Sequence, residues 1–361
     1  MNDKVTLMKG NEALAMAMIR YGADGYFGYP ITPQSEVLEK LEEEMPWETT
    51  GMVVLQAESE VAAINMVYGG AMTGKAVCTS TSSPGFSLMQ EGVSYLAASE
   101  VPALLINVQR GGPGLGTIHA SQADYFQACK GGGHGDYHMI VLAPSSVQEM
   151  ADMVALGFDL AFKYRCVSMI LADGTIGQLM EKVVLPEQRP RRTDDEIREQ
   201  CPWAVNGRKG MRPSNVVTSL ELDDDKMEEN NWRFQACYRE IAKNETRCEL
   251  IDVEDCDYLI TAFGTTARVA MKTMELARAE GIKVGMFRPI TLWPFPEKQL
   301  REAAKNVKGI LCVELNAGQM VEDVKLAVEC KMPVEHYGRF GGNVPTPDEL
   351  LNVLKEKLIN K

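Results

Sequence analysis

Residues 103–108 (ALLINV) and 139–142 (MIVL) are apolar almost without interruption and show no in–out alternation. A strand with one wet face alternates, so runs of this kind suit strands covered on both faces. After them the spacing changes. Val147, Met150, Ala151, Val154, Phe158 and Ala161 recur at three- and four-residue steps, which marks a helix with one apolar face. Ser145 or Ser146 can cap its start. Buried strands exchanging with amphipathic helices predict an α/β fold with a doubly wound, mostly parallel sheet.

The alternation runs along most of the chain. It predicts a helix over 11–21, then strands at 25–29, 52–57, 76–79 and 103–108, with helices at 33–45, 60–72 and 86–98 between them. A glycine-rich break follows, then a helix near 120–130, the strand at 139–142, the long helix and a strand at 167–171. Residues 1–185 thus make a first α/β unit. From 186 to 250 the texture changes to charged, proline-containing segments such as PEQRPRR and LELDDDKMEEN. That stretch reads as an extended connector wrapping the surface or a partner, with a helix near 229–245. Residues 251–361 resume the pattern as four βα units in a smaller second unit, with Gly281 suited to a helix C-cap.

Length agrees with two units, since 361 residues exceed the ~250–300 at which single cores stop growing. The net charge of −13 argues against nucleic acid or an anionic membrane as a partner. No stretch approaches the ~20 apolar residues of a membrane span, and MNDKVTLMKG has no signal-peptide core, so a cytoplasmic location is expected. The nine cysteines include no C-x-x-C pair, which points to reduced thiols rather than a zinc or iron–sulfur site on this chain.

Familiar motifs are absent. There is no P-loop and no G-x-S-x-G, and RGGPGLGT (110–117) lacks the G-x-G-x-x-G order. His134, Asp136 and His138 lie close together in GGGHGDYH, where alternate loop residues suit a structural or partner-facing loop better than a metal site. Three features at strand ends are more suggestive. Thr32, in GYPITP, stands between two prolines at a strand-to-helix corner, as a ligand-facing hydroxyl or simply a helix cap. Glu58 and Glu60, in QAESE, end a strand and open a helix. Either carboxylate suits the helix dipole, and one in an apolar cleft could exchange a proton with a ring nitrogen. Arg110 follows an apolar strand and precedes two glycines, where a guanidinium can grip a carboxylate through two nitrogens or form a salt bridge. In parallel sheets, ligands bind at the carboxyl ends of strands, so one small acid could reach all three.

These residues also resemble a known family. GYPITP, QAESEVAAINMVYGGAMTG and the stretch from CTSTSSPGF to RGGPGLGT are similar to the α subunit of 2-oxoacid:ferredoxin oxidoreductases. So are FRPITLWPFP and ELNAGQMVEDV in the second unit, and the pattern is nearest the 3-methyl-2-oxobutanoate (2-ketoisovalerate) branch, with the 2-oxoglutarate branch also similar. The resemblance implies a pyrimidine-type thiamine-diphosphate-binding unit over 1–185, the connector over 186–250, and a transketolase-C-terminal-like unit over 251–361. It implies oxidative decarboxylation of a 2-oxoacid to acyl-CoA, with coenzyme A as co-substrate and electrons passed to ferredoxin. Thr32 falls on the family threonine near the cofactor's thiazolium and the substrate. Glu60, rather than Glu58, falls on the glutamate that bonds the aminopyrimidine N1′. Arg110 falls on the arginine that binds the substrate carboxylate.

The GDG motif that holds magnesium and diphosphate in thiamine enzymes is missing, and ADGT at 172–175 is the nearest approach to it. A β subunit is therefore expected to carry the diphosphate and Mg²⁺, with iron–sulfur clusters on partners, including a small ferredoxin-like subunit. A 2-oxoglutarate enzyme is the alternative within the family, and a catalytically silent assembly subunit is a more distant one.

Overall fold

Residues 5–208, 210 and 212–360 are described in the computed structural model of the chain. Their strands are β1 (Val5–Lys9), β2 (Gly25–Gly28), β3 (Val53–Gln56), β4 (Val77–Thr81), β5 (Ala103–Gln109), β6 (Ile140–Leu142) and β7 (Val167–Asp173). They continue with β8 (Met180–Val184), β9 (Cys248–Ile251), β10 (Tyr258–Thr261), β11 (Val284–Pro289), β12 (Thr291–Trp293), β13 (Gly309–Glu314) and β14 (Val334–Gly338).

Seven strands form one sheet in the order β12-β6-β7-β5-β4-β2-β3, with only β12 antiparallel to its neighbour. Strands β5 and β7 pair along their whole length and are buried at every position, as their unbroken apolar runs require. A second sheet has the order β14-β13-β10-β11-β9, again parallel except for β9. The architecture is a pair of doubly wound α/β layers. The long helix spans Val147–Tyr164, buries its predicted face, and is capped by Ser146 Oγ accepting from Glu149 N at 3.1 Å. Gly281 takes φ 81° just past the helix Gly264–Ala279.

Strand β9 begins inside the stretch read as an extended connector, a helix over Asp194–Gln200 lies within it, and three further features depart from the sequence reading. Strands β1 and β8 form an antiparallel two-stranded sheet that no apolar run announced, because both leave alternate side chains in solvent. Helix Ser35–Glu44 starts two residues later than expected. The Pro33 carbonyl accepts instead from Asn11 Nδ2 at 2.7 Å and Gln178 Nε2 at 3.0 Å, which holds it outside the helical ladder. The third departure is β12, which lies beyond residue 251 yet pairs with β6 and so completes the first sheet.

The connector lies against its own chain. Arg189 N donates to Arg20 O at 2.7 Å, Arg191 forks onto the buried Asp24 carboxylate, and Arg192 Nη2 donates to Gly74 O at 2.8 Å. Helix Asp224–Asn244 then returns across the first unit, where Arg233 pairs with Glu100 at 2.8 Å. The arginines of PEQRPRR, which look like solvated charge in the sequence, anchor the segment.

At the joint between the sheets, Asp173 ends β7. Its carboxylate accepts from Thr175 N and Ile176 N on its own side, and from Thr265 N at 2.8 Å and Thr265 Oγ1 at 2.6 Å across the joint. The aspartate of ADGT is thus consumed in capping two helices. Burial pushes its carboxyl pKa up, against the pull of these four donors.

Candidate functional site at the strand ends

Strands β5, β4, β2 and β3 are neighbours and run parallel, so their carboxyl ends lie along one rim. Arg110 follows β5, Ser82 and Ser83 follow β4, Thr32 follows β2 and Glu60 follows β3. The topology therefore brings Thr32, Glu60 and Arg110 to one side of the sheet.

Glu60 is the first residue of the helix Glu60–Met72, and Ser59 caps it by accepting from Ala62 N at 3.1 Å. The Glu60 side chain is 6% exposed and accepts no hydrogen bond from any described residue. Glu58, two residues earlier, is exposed. The Glu60 carboxylate lies against Gly85 in the first turn of the helix Ser83–Ala98. A Cβ at Gly85 would come within 2.7 Å of Glu60 Oε1, so any larger residue there would displace the carboxylate. The buried hydroxyls of Thr81 and Ser82, at the end of β4, also lack partners among the described residues. The Glu60 oxygens are not sealed in the same way, so the carboxylate, with no internal donor, is open to a group arriving from outside.

Thr32 is exposed and does not cap the following helix, whose N-cap is Gln34. Its carbonyl accepts from Arg110 Nη1 at 2.9 Å, while Arg110 Nη2 donates to Leu115 O at 2.8 Å. Arg110 Nε is buried without a partner. The guanidinium is thus held by two carbonyls and forms no ion pair with a described carboxylate, which leaves its charge uncompensated.

A network that the sequence reading did not identify fixes the Arg110 backbone. Ser83 Oγ accepts from Arg110 N at 3.0 Å and donates to Asp124 Oδ2 at 2.6 Å. Asn107 Nδ2 also donates to Asp124 Oδ2, at 2.8 Å, and Asn107 Oδ1 accepts from Ser83 N. Gln109 Oε1 accepts from Asp124 N at 3.1 Å. Burial pushes the Asp124 carboxyl pKa up, and the bonds from Ser83 and Asn107 oppose that shift. One signal was available: Asn107 and Gln109 are polar positions inside a fully buried strand, and such residues need specific partners.

A cleft of about 420 Å³ opens beside Arg110 and takes walls from both units, with Ser83 and Asp124 on one side and Leu315, Asn316 and Phe340 on the other. Arg110 is the one cation of its described lining. The GGGHGDYH loop lies elsewhere and its histidines diverge. His138 stacks on Trp293 with centroids 4.5 Å apart, and burial lowers its pKa, whereas His134 is exposed. Among the described residues no group of three or more His, Cys, Asp and Glu is placed to hold a metal ion. No helix of the described chain is long and apolar enough to cross a membrane.

Residues 16–242 match a family profile described as pyruvate flavodoxin/ferredoxin oxidoreductase, thiamine diphosphate-binding, and residues 256–350 match pyruvate:ferredoxin oxidoreductase core domain II. The chain belongs to the 2-oxoacid:ferredoxin oxidoreductase family. It is 47% identical to the ketoisovalerate oxidoreductase subunit VorB of Methanothermobacter marburgensis, over 97% of both chains. It is 36% identical to the 2-oxoglutarate synthase subunit KorA of the same organism, over 96% of this chain and 97% of that one. Among solved structures, a 2-oxoglutarate:ferredoxin oxidoreductase from Magnetococcus marinus superposes with a TM-score of 0.84 at 28% identity. That match covers 98% of this chain and 65% of the solved one. A split-gene transketolase superposes at 0.60 with 13% identity, which speaks to the fold alone.

Proposed function

We propose that this chain is the α subunit of a thiamine-diphosphate-dependent enzyme that oxidises branched-chain 2-oxoacids, foremost 3-methyl-2-oxobutanoate. The acid and coenzyme A are converted to acyl-CoA and CO₂, and two electrons pass to ferredoxin. The observation that carries the choice of substrate is the cleft beside Arg110. Its single cation can hold one carboxylate, and Leu315, Phe340, Pro84 and Pro113 offer apolar surface to a branched side chain. A 2-oxoglutarate site needs a second cation for the distal carboxylate.

Thiamine diphosphate, when bound, supplies the carbon nucleophile and the electron sink for decarboxylation. The residues present fit it. Glu60 offers a buried carboxylate with no donor of its own, suited to share a proton with a ring nitrogen, and Gly85 leaves room for that approach. Arg110 grips and orients the substrate carboxylate through the remaining N–H groups of its two terminal nitrogens, whose plane is fixed by their bonds to Thr32 O and Leu115 O. Thr32 follows β2 on the same rim but lines a neighbouring cleft with Ile118, His119 and Gln178 rather than the Arg110 cleft. Its role toward substrate rests on its carbonyl bond to Arg110 and on its exposed position.

In this reading the site is completed by partners: a β subunit carrying diphosphate and Mg²⁺, and iron–sulfur clusters there and on a small ferredoxin-like chain. Support comes from the surface beside Glu60. Edge strand β3 exposes Val53 and Leu55, the next helix exposes Val61, and Leu88 is exposed nearby, an apolar margin suited to a covering subunit. In this reading the subunit comprises a pyrimidine-type unit over 1–185, the connector over 186–250 and a transketolase-C-terminal-like unit over 251–361. Reduction of viologen by the assembled complex tests the reading. Turnover with 3-methyl-2-oxobutanoate should exceed that with 2-oxoglutarate at least tenfold in kcat/KM, and the reverse order would overturn the substrate assignment.

A further inference from the structure

We propose that a second cleft, between helix Asp224–Asn244 and the segment 292–299, binds a nucleoside phosphate. The cleft holds about 480 Å³ and lies where the two units meet. Arg239 and Lys243 project into it from the same helix face, being four residues apart, and Lys298 enters from the second unit. None of the three has an ion-pair or hydrogen-bond partner among the described residues. Nearby cations behave differently: Lys163 and Arg247 are both paired with Glu245.

Like charges four apart on a helix repel, and this chain carries 50 acidic residues that could have neutralised them. Three unpaired cations converging on a concavity are instead suited to a multiply charged anion. Of the two carboxylates in the lining, Asp323 is occupied by Lys130 and by the Tyr125 hydroxyl at 2.6 Å, which leaves Glu297 alone at the rim. The floor indicates what else the ligand carries. Leu292 and Pro294 are buried beneath it, and one face of Trp293 is covered by His138. The half-buried Phe295 and the remaining edge of Trp293 therefore supply the apolar, aromatic surface that a bare phosphate cannot use but a flat base can.

This cleft is separate from the strand-end rim. Its Trp293 belongs to β12, the opposite edge of the sheet from β3, and the short helix Tyr125–Cys129 stands between it and the Arg110 cleft. The proposal does not depend on the catalytic roles given above. Free nucleotide and the nucleotide end of coenzyme A share the required chemistry.

The test is calorimetric titration of ADP, ATP, coenzyme A and pyrophosphate into the assembled complex saturated with thiamine diphosphate. Wild type is compared with Arg239→Gln/Lys243→Gln, both exposed, and with Lys298→Gln as an independent variant. ADP or ATP binding that weakens at least tenfold in the double variant, with KM for coenzyme A unchanged, supports a free-nucleotide site. A parallel rise in KM for coenzyme A supports the same site with coenzyme A as its source. If no nucleotide or coenzyme A binding weakens in either variant, or if pyrophosphate binds as tightly as ADP, the proposal is overturned.

Discussion

Arg110 Nη1 donates to the Thr32 carbonyl at 2.9 Å, so the end of β5 is tied directly to the corner that follows β2. The bond uses the threonine's backbone, which leaves its hydroxyl free. The same guanidinium reaches Leu115 O, so its plane is set by two fixed acceptors. Lysine presents its donors from one point and lacks the planar fork by which two separate nitrogens span the two carbonyls. Arg110→Lys is expected to raise KM for the 2-oxoacid at least tenfold, with a smaller fall in kcat, as measured by steady-state viologen reduction.

Glu60 has no internal hydrogen bond to lose, so its replacement should separate catalysis from folding. Glu60→Gln is expected to lower kcat by about 10²–10⁴-fold, the range for removal of a proton-transfer group. The midpoint of thermal unfolding should stay within a few degrees. A variant that retains turnover would remove Glu60 from the chemistry.

Asp124 acts on Arg110 only through Ser83 and touches no substrate-facing atom of the guanidinium. Asp124→Asn keeps the shape but can present an amide N–H where Oδ2 now accepts from Ser83 and Asn107. The expected outcome is a severalfold rise in KM for the 2-oxoacid with kcat largely retained. Asp124→Glu should rescue little, because the longer side chain displaces Ser83. A fall in kcat alone, with KM unchanged, would contradict the positioning role.

Glu245 provides a stability test far from the rim. Burial pushes its carboxyl up, but bonds from Lys163, Tyr164 and Arg247 outweigh that and hold the pKa at about 2, against an ordinary 4.5. A depressed folded-state value stabilises the protein above pH 4.5, and that contribution is lost as pH falls toward about 2. Glu245→Gln should cost roughly 2 kcal/mol at neutral pH, the scale of hydrogen bonds to a charged group. Denaturant unfolding at a series of pH values should show the gap to wild type narrowing below pH 4.5.

The strand and helix pattern was legible because it depends on short-range periodicity: helix Glu60–Met72 falls where the spacing places it, and β5 is buried as its composition demands. The juxtaposition of strand ends followed from parallel pairing, which is a property of the fold class. What stayed hidden depends on partners distant in sequence. The acceptors of Arg110 sit at Thr32 and Leu115, and nothing local distinguishes a carbonyl-held arginine from a salt-bridged one. Local reading left Glu58 and Glu60 open and only the family resemblance chose between them; the structure exposes Glu58 before the helix and buries Glu60 at its first position. Strand β12 is three residues long and antiparallel, too short for any periodic signal.

That strand has a consequence for synthesis. The first sheet draws on residues 25–173 and then waits for Thr291–Trp293 to cover the open edge of β6. A nascent chain emerging amino end first holds that edge unpaired while more than a hundred further residues are translated. The seven-stranded sheet therefore cannot close until Thr291–Trp293 have left the ribosome, so the first unit is completed only after the second has begun to emerge.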